Sequence, residues 1–221
     1  MQTPLDFTIS NTSDVTFASN AEHILLPQAD ITLYRRFYSL ESADEHFHAL
    51  ARSLQWSQDE IRIAGKLKPI PRLQAWYSAN GLSYTYSGIK LNPLPFNDRL
   101  NAIRTSLENT TNHCFNSLLA NLYRSGNDSV GWHSDNEPEL GTNPVIASLS
   151  FGETRRFLLK HREQPKFKPF EISLQHGDLL IMAGETQHYW LHQVPKSRLS
   201  LAPRINLTFR RIYPLTRKKT I

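Results

Sequence analysis

Pro203-Arg204-Ile205-Asn206-Leu207-Thr208-Phe209-Arg210 alternates polar and apolar side chains without a break from Arg204 to Arg210. A repeat of two is the signature of a β-strand, so Arg204, Asn206, Thr208 and Arg210 share one face while Ile205, Leu207 and Phe209 share the other. A strand this apolar on one side and this charged on the other is expected to meet an anion, not open solvent, on its arginine side. Upstream lie His133-Ser134-Asp135 and His192, two imidazoles and a carboxylate that could serve one metal ion. A His-x-Asp pair puts both side chains on the same side of an extended segment, and a distant second histidine completes a facial triad. That donor set, followed by a two-arginine clamp suited to a dicarboxylate, suggests the chemistry of a non-haem Fe(II) oxygenase.

Working outward from this strand, short apolar or alternating runs fill 115–124, 144–151, 155–160, 168–173, 178–183, 188–192 and 204–212, each bounded by turn-rich sequence. So many short strands without helical spacers imply an antiparallel sandwich, jelly roll or barrel. Helices are expected earlier. Ser42 and Glu45 form a capping box ahead of Phe47, Leu50, Ala51 and Leu54, predicting a helix over 42–54, and a second begins near Asn97 with Leu100, Ile103 and Leu107 on one stripe. Residues 56–96, rich in proline, glycine and aromatics, read as strands and turns, and residues 1–24, rich in Ser, Thr, Asn and Asp, as a mobile arm.

The whole chain of 221 residues suits one domain with a single core. Lys and Arg exceed Asp and Glu by 25 to 20, giving a net charge of +5, which tilts toward polyanionic partners. One cysteine, Cys114, excludes an intramolecular disulfide and fits a reducing compartment. No segment has the length and apolarity of a membrane span or a secretory leader, so the expected setting is the cytoplasm, or the nucleus in a eukaryote.

Other histidines compete for the metal. His161-Glu163 and His176-Asp178 repeat the spacing of His133-Asp135, but the first reads as an exposed polar turn and the second as a turn entering the strand that starts at Leu179. His188 and His192 are both chemically able to be the distal ligand. A structural zinc fits poorly, because one cysteine and no close Cys or His cluster are available. For the arginines, whose rigid forks bind carboxylates in paired hydrogen bonds, the expectation is Arg210 on the far carboxylate of 2-oxoglutarate and Arg204 nearer the metal, within reach of Asp135.

The ordered set Asn121-Leu122-Tyr123, Trp132-His133-Ser134-Asp135, Ala147 to Gly152, His176-Gly177-Asp178-Leu179-Leu180, Trp190 to Pro195 and Pro203 to Arg210 resembles the AlkB family of DNA and RNA dealkylases across about residues 60–213. The resemblance implies an α+β fold: a double-stranded β-helix (jelly-roll) core over 114–213, flanking N-terminal helices, and a nucleotide-recognition lid over 56–96. It implies Fe(II) held by His133, Asp135 and His192, with 2-oxoglutarate positioned by Asn121, Tyr123, Arg204, Asn206, Thr208 and Arg210, and O2 as the other cosubstrate. In that family's reaction an alkyl group on a base nitrogen is hydroxylated and lost as an aldehyde, which requires a duplex base to be flipped out. The partner is then alkylated DNA or RNA, met by a monomer.

The lid segment carrying Trp76, Tyr84 and Tyr86 resembles that of the animal homologues 2 and 3. There Tyr86 would stack on the flipped base opposite His133, Tyr84 and Trp76 would line the pocket, and Glu137 would accept from the exocyclic amino group. Stacking on an aromatic contributes roughly 1–3 kcal/mol per base. The duplex-specific homologue has a bulky aromatic finger just before a Gly-Lys pair, whereas Ile63-Ala64-Gly65-Lys66 offers only Ala64. Without a wedge, single-stranded substrates are the expectation, with 1-methyladenine and 3-methylcytosine as the lesions. Two other readings compete: an oxygenase acting on tRNA, mRNA or another substrate, and a binding module that kept the fold without the chemistry.

Overall fold

The computed structural model describes residues 21–63, 65–79, 84–86, 89–91 and 93–214. In chain order the elements are β1 (Ala21–Ile24), β2 (Asp30–Tyr34), α1 (Leu40–Ser53), β3 (Glu60–Ile63), β4 (Lys66–Pro69), β5 (Leu73–Ser78), β6 (Tyr84–Tyr86), β7 (Ile89–Leu91) and α2 (Asp98–Thr111). There follow β8 (Ser117–Tyr123), β9 (Val130–His133), a 3-10 turn (Pro138–Leu140), β10 (Ile146–Gly152), β11 (Arg155–His161), β12 (Phe170–Leu174), β13 (Leu179–Ala183), α3 (Thr186–Tyr189), β14 (Trp190–Val194) and β15 (Arg204–Arg210).

Two antiparallel sheets form the jelly-roll core. The larger runs β1-β2-β13-β10-β15-β8-β5 and the smaller β12-β11-β14-β9, so the strand quoted at the outset lies inside the larger sheet, between β10 and β8. Its alternation is used on both faces. Ile205, Leu207 and Phe209 pack outward against Leu50 of α1 and Leu100, Ile103 and Leu107 of α2, all within one apolar cluster. Burial of each such side chain contributes about 1.5–3 kcal/mol. A second cluster, with Leu119, Ile146, Leu180 and Met182 from the larger sheet and Phe157, Leu159 and Val194 from the smaller, fills the space between the sheets. The polar residues of β15 point into that same interior, and the whole strand is buried.

Several elements differ from expectation. α1 begins earlier than Ser42, because Ser39 is its N-cap and its Oγ accepts from the Ser42 amide at 3.2 Å. The earlier start places Ala43 and Leu50, both fully buried, two turns apart on one face. Residues 21–24, expected in the loose arm, pair with β2 as an edge strand, while residues 1–20 lie outside the described residues. The 188–192 run begins as a strand only at Trp190, after the single turn of α3. β9 was hidden, its glycine and mixed burial giving no clean alternation. No helix among the described residues is long and apolar enough to cross a membrane.

Candidate metal centre and anion clamp

β9 and β14 are neighbours in the smaller sheet, and their register pairs His133 directly with His192. The two imidazole rings lie 4.3 Å apart between centroids. Asp135, two residues beyond β9, turns back so that His133, Asp135 and His192 present ligand atoms all within 4.8 Å of one another, the one such group among the described residues. His133 Nδ1 sits 2.8 Å from the Gly131 carbonyl, which can only accept; Nδ1 is therefore the donor nitrogen, and Nε2 is the one able to ligate a metal. Phe157 stacks on His192 at 5.2 Å and closes off its other side. Two imidazole nitrogens and one carboxylate in a facial set suit Fe(II).

Electrostatics reinforce this arrangement. Burial opposes the charge on Asp135, yet Arg210, His192 and His133 outweigh it and hold the carboxyl at about 2, so it is ionised and ready to bind a cation. His192 is pushed down to about 3 by burial and then by His133, which keeps it neutral, the form that ligates.

The clamp is built by strand register. β8 lies beside β15 with Tyr123 opposite Arg204 and Asn121 opposite Asn206. β10 flanks β15 on its other edge. Asn206 Nδ2 donates to Ser148 Oγ at 2.8 Å, its Oδ1 accepts from Thr208 Oγ1 at 3.0 Å, and Asn121 Oδ1 accepts from Arg72 Nε at 2.8 Å. Arg204 Nη2 donates to Ser150 Oγ at 2.8 Å, and its guanidinium lies 5.3 Å from the Tyr123 ring centre. Its Nε and Nη1 are buried with no hydrogen-bond partner. A buried guanidinium held by Ser150 and the Tyr123 side chain alone is poorly compensated for its burial, which lowers its pKa to about 10. The far carboxylate of a dicarboxylate fits that need.

This reverses the expected polarity of the clamp. Arg210, not Arg204, is the arginine on Asp135, with Nη2 2.8 Å from Oδ1. The loop after β9 closes over the Arg210 end of β15, which leaves Arg204 at the Tyr123 end. A salt-bridged solvated face is excluded too, since Arg204 is 1% exposed and Arg210 5%.

The remaining sequence candidates separate. His188 is exposed and its Nε2 contacts the Thr142 carbonyl and Asn143 Oδ1, away from the triad. His161, expected on an exposed turn, is instead the buried last residue of β11, stacked on Tyr189 and bonded to Gln28. His176 accepts from the Gly152 amide and faces Asp44 of α1, a structural tie. Glu137 is half-buried, two residues past Asp135, at the start of the 3-10 turn. Trp76 is 6% exposed and packs in the inter-sheet cluster, and its Nε1 donates to Ser117 Oγ. The strand of Tyr84 and Tyr86 pairs with β7, but those two side chains, and Ala64, lie outside the described residues.

Sequence reasoning missed Arg72, Ser148, Ser150 and Gln187. The two serines do leave a signal, since small hydroxyls alternate in Ala147-Ser148-Leu149-Ser150-Phe151 as the clamp residues do in β15. Arg72 and Gln187 leave none, because their partners are distant in sequence.

Residues 30–210 match the 2OG-Fe(II) oxygenase superfamily. The chain is 46% identical over 186 residues to the Bos taurus protein "Alpha-ketoglutarate-dependent dioxygenase alkB homolog 3", covering 80% of this chain and 64% of that one. It is 37% identical over 194 residues to the Homo sapiens "DNA oxidative demethylase ALKBH2", covering 84% and 74%. The chain spans 64–66% of the length of the homolog 3 relatives it matches. Among solved structures, "The structure of OsALKBH1" superposes with a TM-score of 0.57 at 16% identity over 86% of this chain and 99% of that one, a likeness of fold.

Proposed function

Because the chain belongs to the AlkB family within the 2OG-Fe(II) oxygenase superfamily, we propose that it is an oxidative demethylase that restores 1-methyladenine and 3-methylcytosine in DNA, with a preference for single strands. The observation that carries the reading is the His133–Asp135–His192 set, with Asp135 and His192 buried and His133 half-buried, lining one cavity with the buried guanidinium of Arg204. Iron bound there supplies O2 activation coupled to the conversion of 2-oxoglutarate to succinate and CO2, the oxidising power that puts a hydroxyl on the alkyl group. The residues of the chain do the rest. Arg204 takes the far carboxylate of 2-oxoglutarate while Asn121, Tyr123, Asn206 and Thr208 line its length, and Arg210 neutralises Asp135. Phe157, Leu119 and Met182 form the apolar part of the same cavity's wall and would limit water inside it.

The substrate half of the proposal rests on different residues. Glu137 accepts from the exocyclic amino group, a donor that both adenine and cytosine carry, and Tyr86 and Tyr84 form the aromatic side of the base pocket. The name of the ALKBH2 relatives, "DNA oxidative demethylase", supports a base in DNA as the target. Ala64 where an aromatic wedge would be supports the single-strand preference.

The test is reconstitution after anaerobic purification with Fe(II), 2-oxoglutarate and O2, followed by mass analysis of oligonucleotides bearing each methylated base. Loss of 14 Da per lesion (about one CH2), faster on single strands than on duplex, is the expected result. No base demethylation by the wild-type chain sinks the proposal, and demethylation of RNA alone moves the substrate class to RNA. Equal rates on duplex and single strand remove the strand preference.

A further inference from the structure

Of the three metal-site residues, His133 and His192 are held by their place in the β9–β14 ladder, whereas Asp135 lies beyond the end of β9 and has no strand partner. Its backbone amide is instead bonded to a side chain far along the chain. Gln187, in α3 and 1% exposed, accepts the Asp135 N–H on its Oε1 at 2.9 Å. The Nε2 of the same amide points at Met182 Sδ, 3.7 Å away, which fixes the amide's orientation with the oxygen toward Asp135. α3 runs directly into β14, so the bond ties the Asp135 loop to the turn that delivers His192.

Asp135 is thus gripped twice: Arg210 holds its carboxylate and Gln187 its main chain. Arg210 alone leaves the residue free to swing about that contact, since one side-chain hydrogen bond does not fix a backbone. We propose that Gln187 is a positioning residue for the metal centre, setting where the Asp135 carboxylate stands relative to the two imidazoles. The inference rests on the reading of His133, Asp135 and His192 as an Fe(II) site. Outer partners of metal ligands commonly change metal affinity by about 10–100-fold when removed.

The adjacent Thr186 provides a comparison within the same turn. Its Oγ1 accepts from the Asp30 amide at 2.8 Å and donates to the Ala183 carbonyl, ties that lead away from Asp135 toward β2. Thr186→Val removes those bonds and leaves the Gln187 contact in place.

The experiment is anaerobic titration of the full chain with Fe(II) in the presence of 2-oxoglutarate, following the visible charge-transfer absorption of the complex, alongside thermal unfolding of the metal-free proteins. Gln187→Met keeps the length of the side chain without its acceptor, and is expected to weaken Fe(II) binding about 10–100-fold. Thr186→Val is expected to lower the unfolding midpoint while binding Fe(II) as the wild type does. Gln187→Asn, an amide shortened by one methylene, gives a second reading if the Met variant does not fold. Wild-type Fe(II) affinity in a folded Gln187 variant overturns the proposal, as does an equal loss in Thr186→Val. Failure of the wild type itself to bind Fe(II) overturns the underlying metal-site reading as well, and is told apart because it appears before any substitution is made.

Discussion

Arg210 Nη2 lies 2.8 Å from Asp135 Oδ1, so the last residue of the clamp strand is bonded directly to the carboxylate of the metal set. Both side chains are almost wholly buried. Arg210→Met therefore leaves a buried carboxylate without its cation, and the metal-free protein is expected to lose about 3–5 kcal/mol of unfolding free energy in urea. Combining it with Asp135→Asn should recover a large part of that loss. Strict additivity of the two changes would show that the pair is not coupled.

Arg204 is predicted to govern the cosubstrate without touching iron. Arg204→Lys keeps the charge but loses the fork, and each charge-assisted hydrogen bond removed is worth about 1.5–3 kcal/mol. The KM for 2-oxoglutarate, read from succinate formation, should rise by about 10–100-fold, with Fe(II) affinity little changed. An unaltered KM would mean that the Arg204 guanidinium does not meet the far carboxylate.

Acid should destabilise the metal-free protein earlier than ordinary carboxylates would. Burial, then His133, pushes His192 down to about 3 from its usual 6.5, so below pH 6.5 the unfolded chain takes up a proton that the folded one refuses. Stability is full above pH 6.5 and falls as the pH drops toward 3, by at most about 1.4 kcal/mol per pH unit. Asp135, held at about 2 against the opposing effect of burial by Arg210, His192 and His133, adds a loss of the same sign below its usual 3.8. Urea unfolding between pH 7 and pH 4 checks this, and His192→Leu should flatten the upper part of the profile.

The helix cap gives a purely structural check. Ser39→Ala removes the acceptor of the Ser42 amide and should cost about 1 kcal/mol, whereas Ser42→Ala should cost clearly less. The reverse order would restore Ser42 as the cap.

What could be read in advance follows the range of the interactions involved. The β15 alternation was legible because a strand buried on two chemically different faces must write both faces into consecutive residues. The order of the two arginines was not, since it depends on the Asp135 loop closing over one end of the strand, a contact 75 residues apart in sequence. Gln187 escaped for the same reason, its partner being 52 residues away. His161 looked like turn sequence because its burial comes from Gln28 and Tyr189, neither of which its own neighbourhood announces. Ser42 with Glu45 matched the capping-box pattern, but the helix starts three residues earlier at the Ser39 cap, with Ala43 and Leu50 buried on its inner face.

The pairing of His133 with His192 across the β9–β14 ladder also limits how the chain can change in length. The β9–β14 register is already irregular between the His133–His192 and Val130–Val194 pairs, so a further residue added within Val130-Gly131-Trp132 would disturb the approach of the two imidazoles. The connection over residues 162–169 carries none of the three candidate ligands, and doubling its length costs only about 0.6 kcal/mol in closure entropy. Insertions meant to graft a new recognition segment therefore belong in that connection, while a change of length in β9 or β14 would disturb the two histidines they carry.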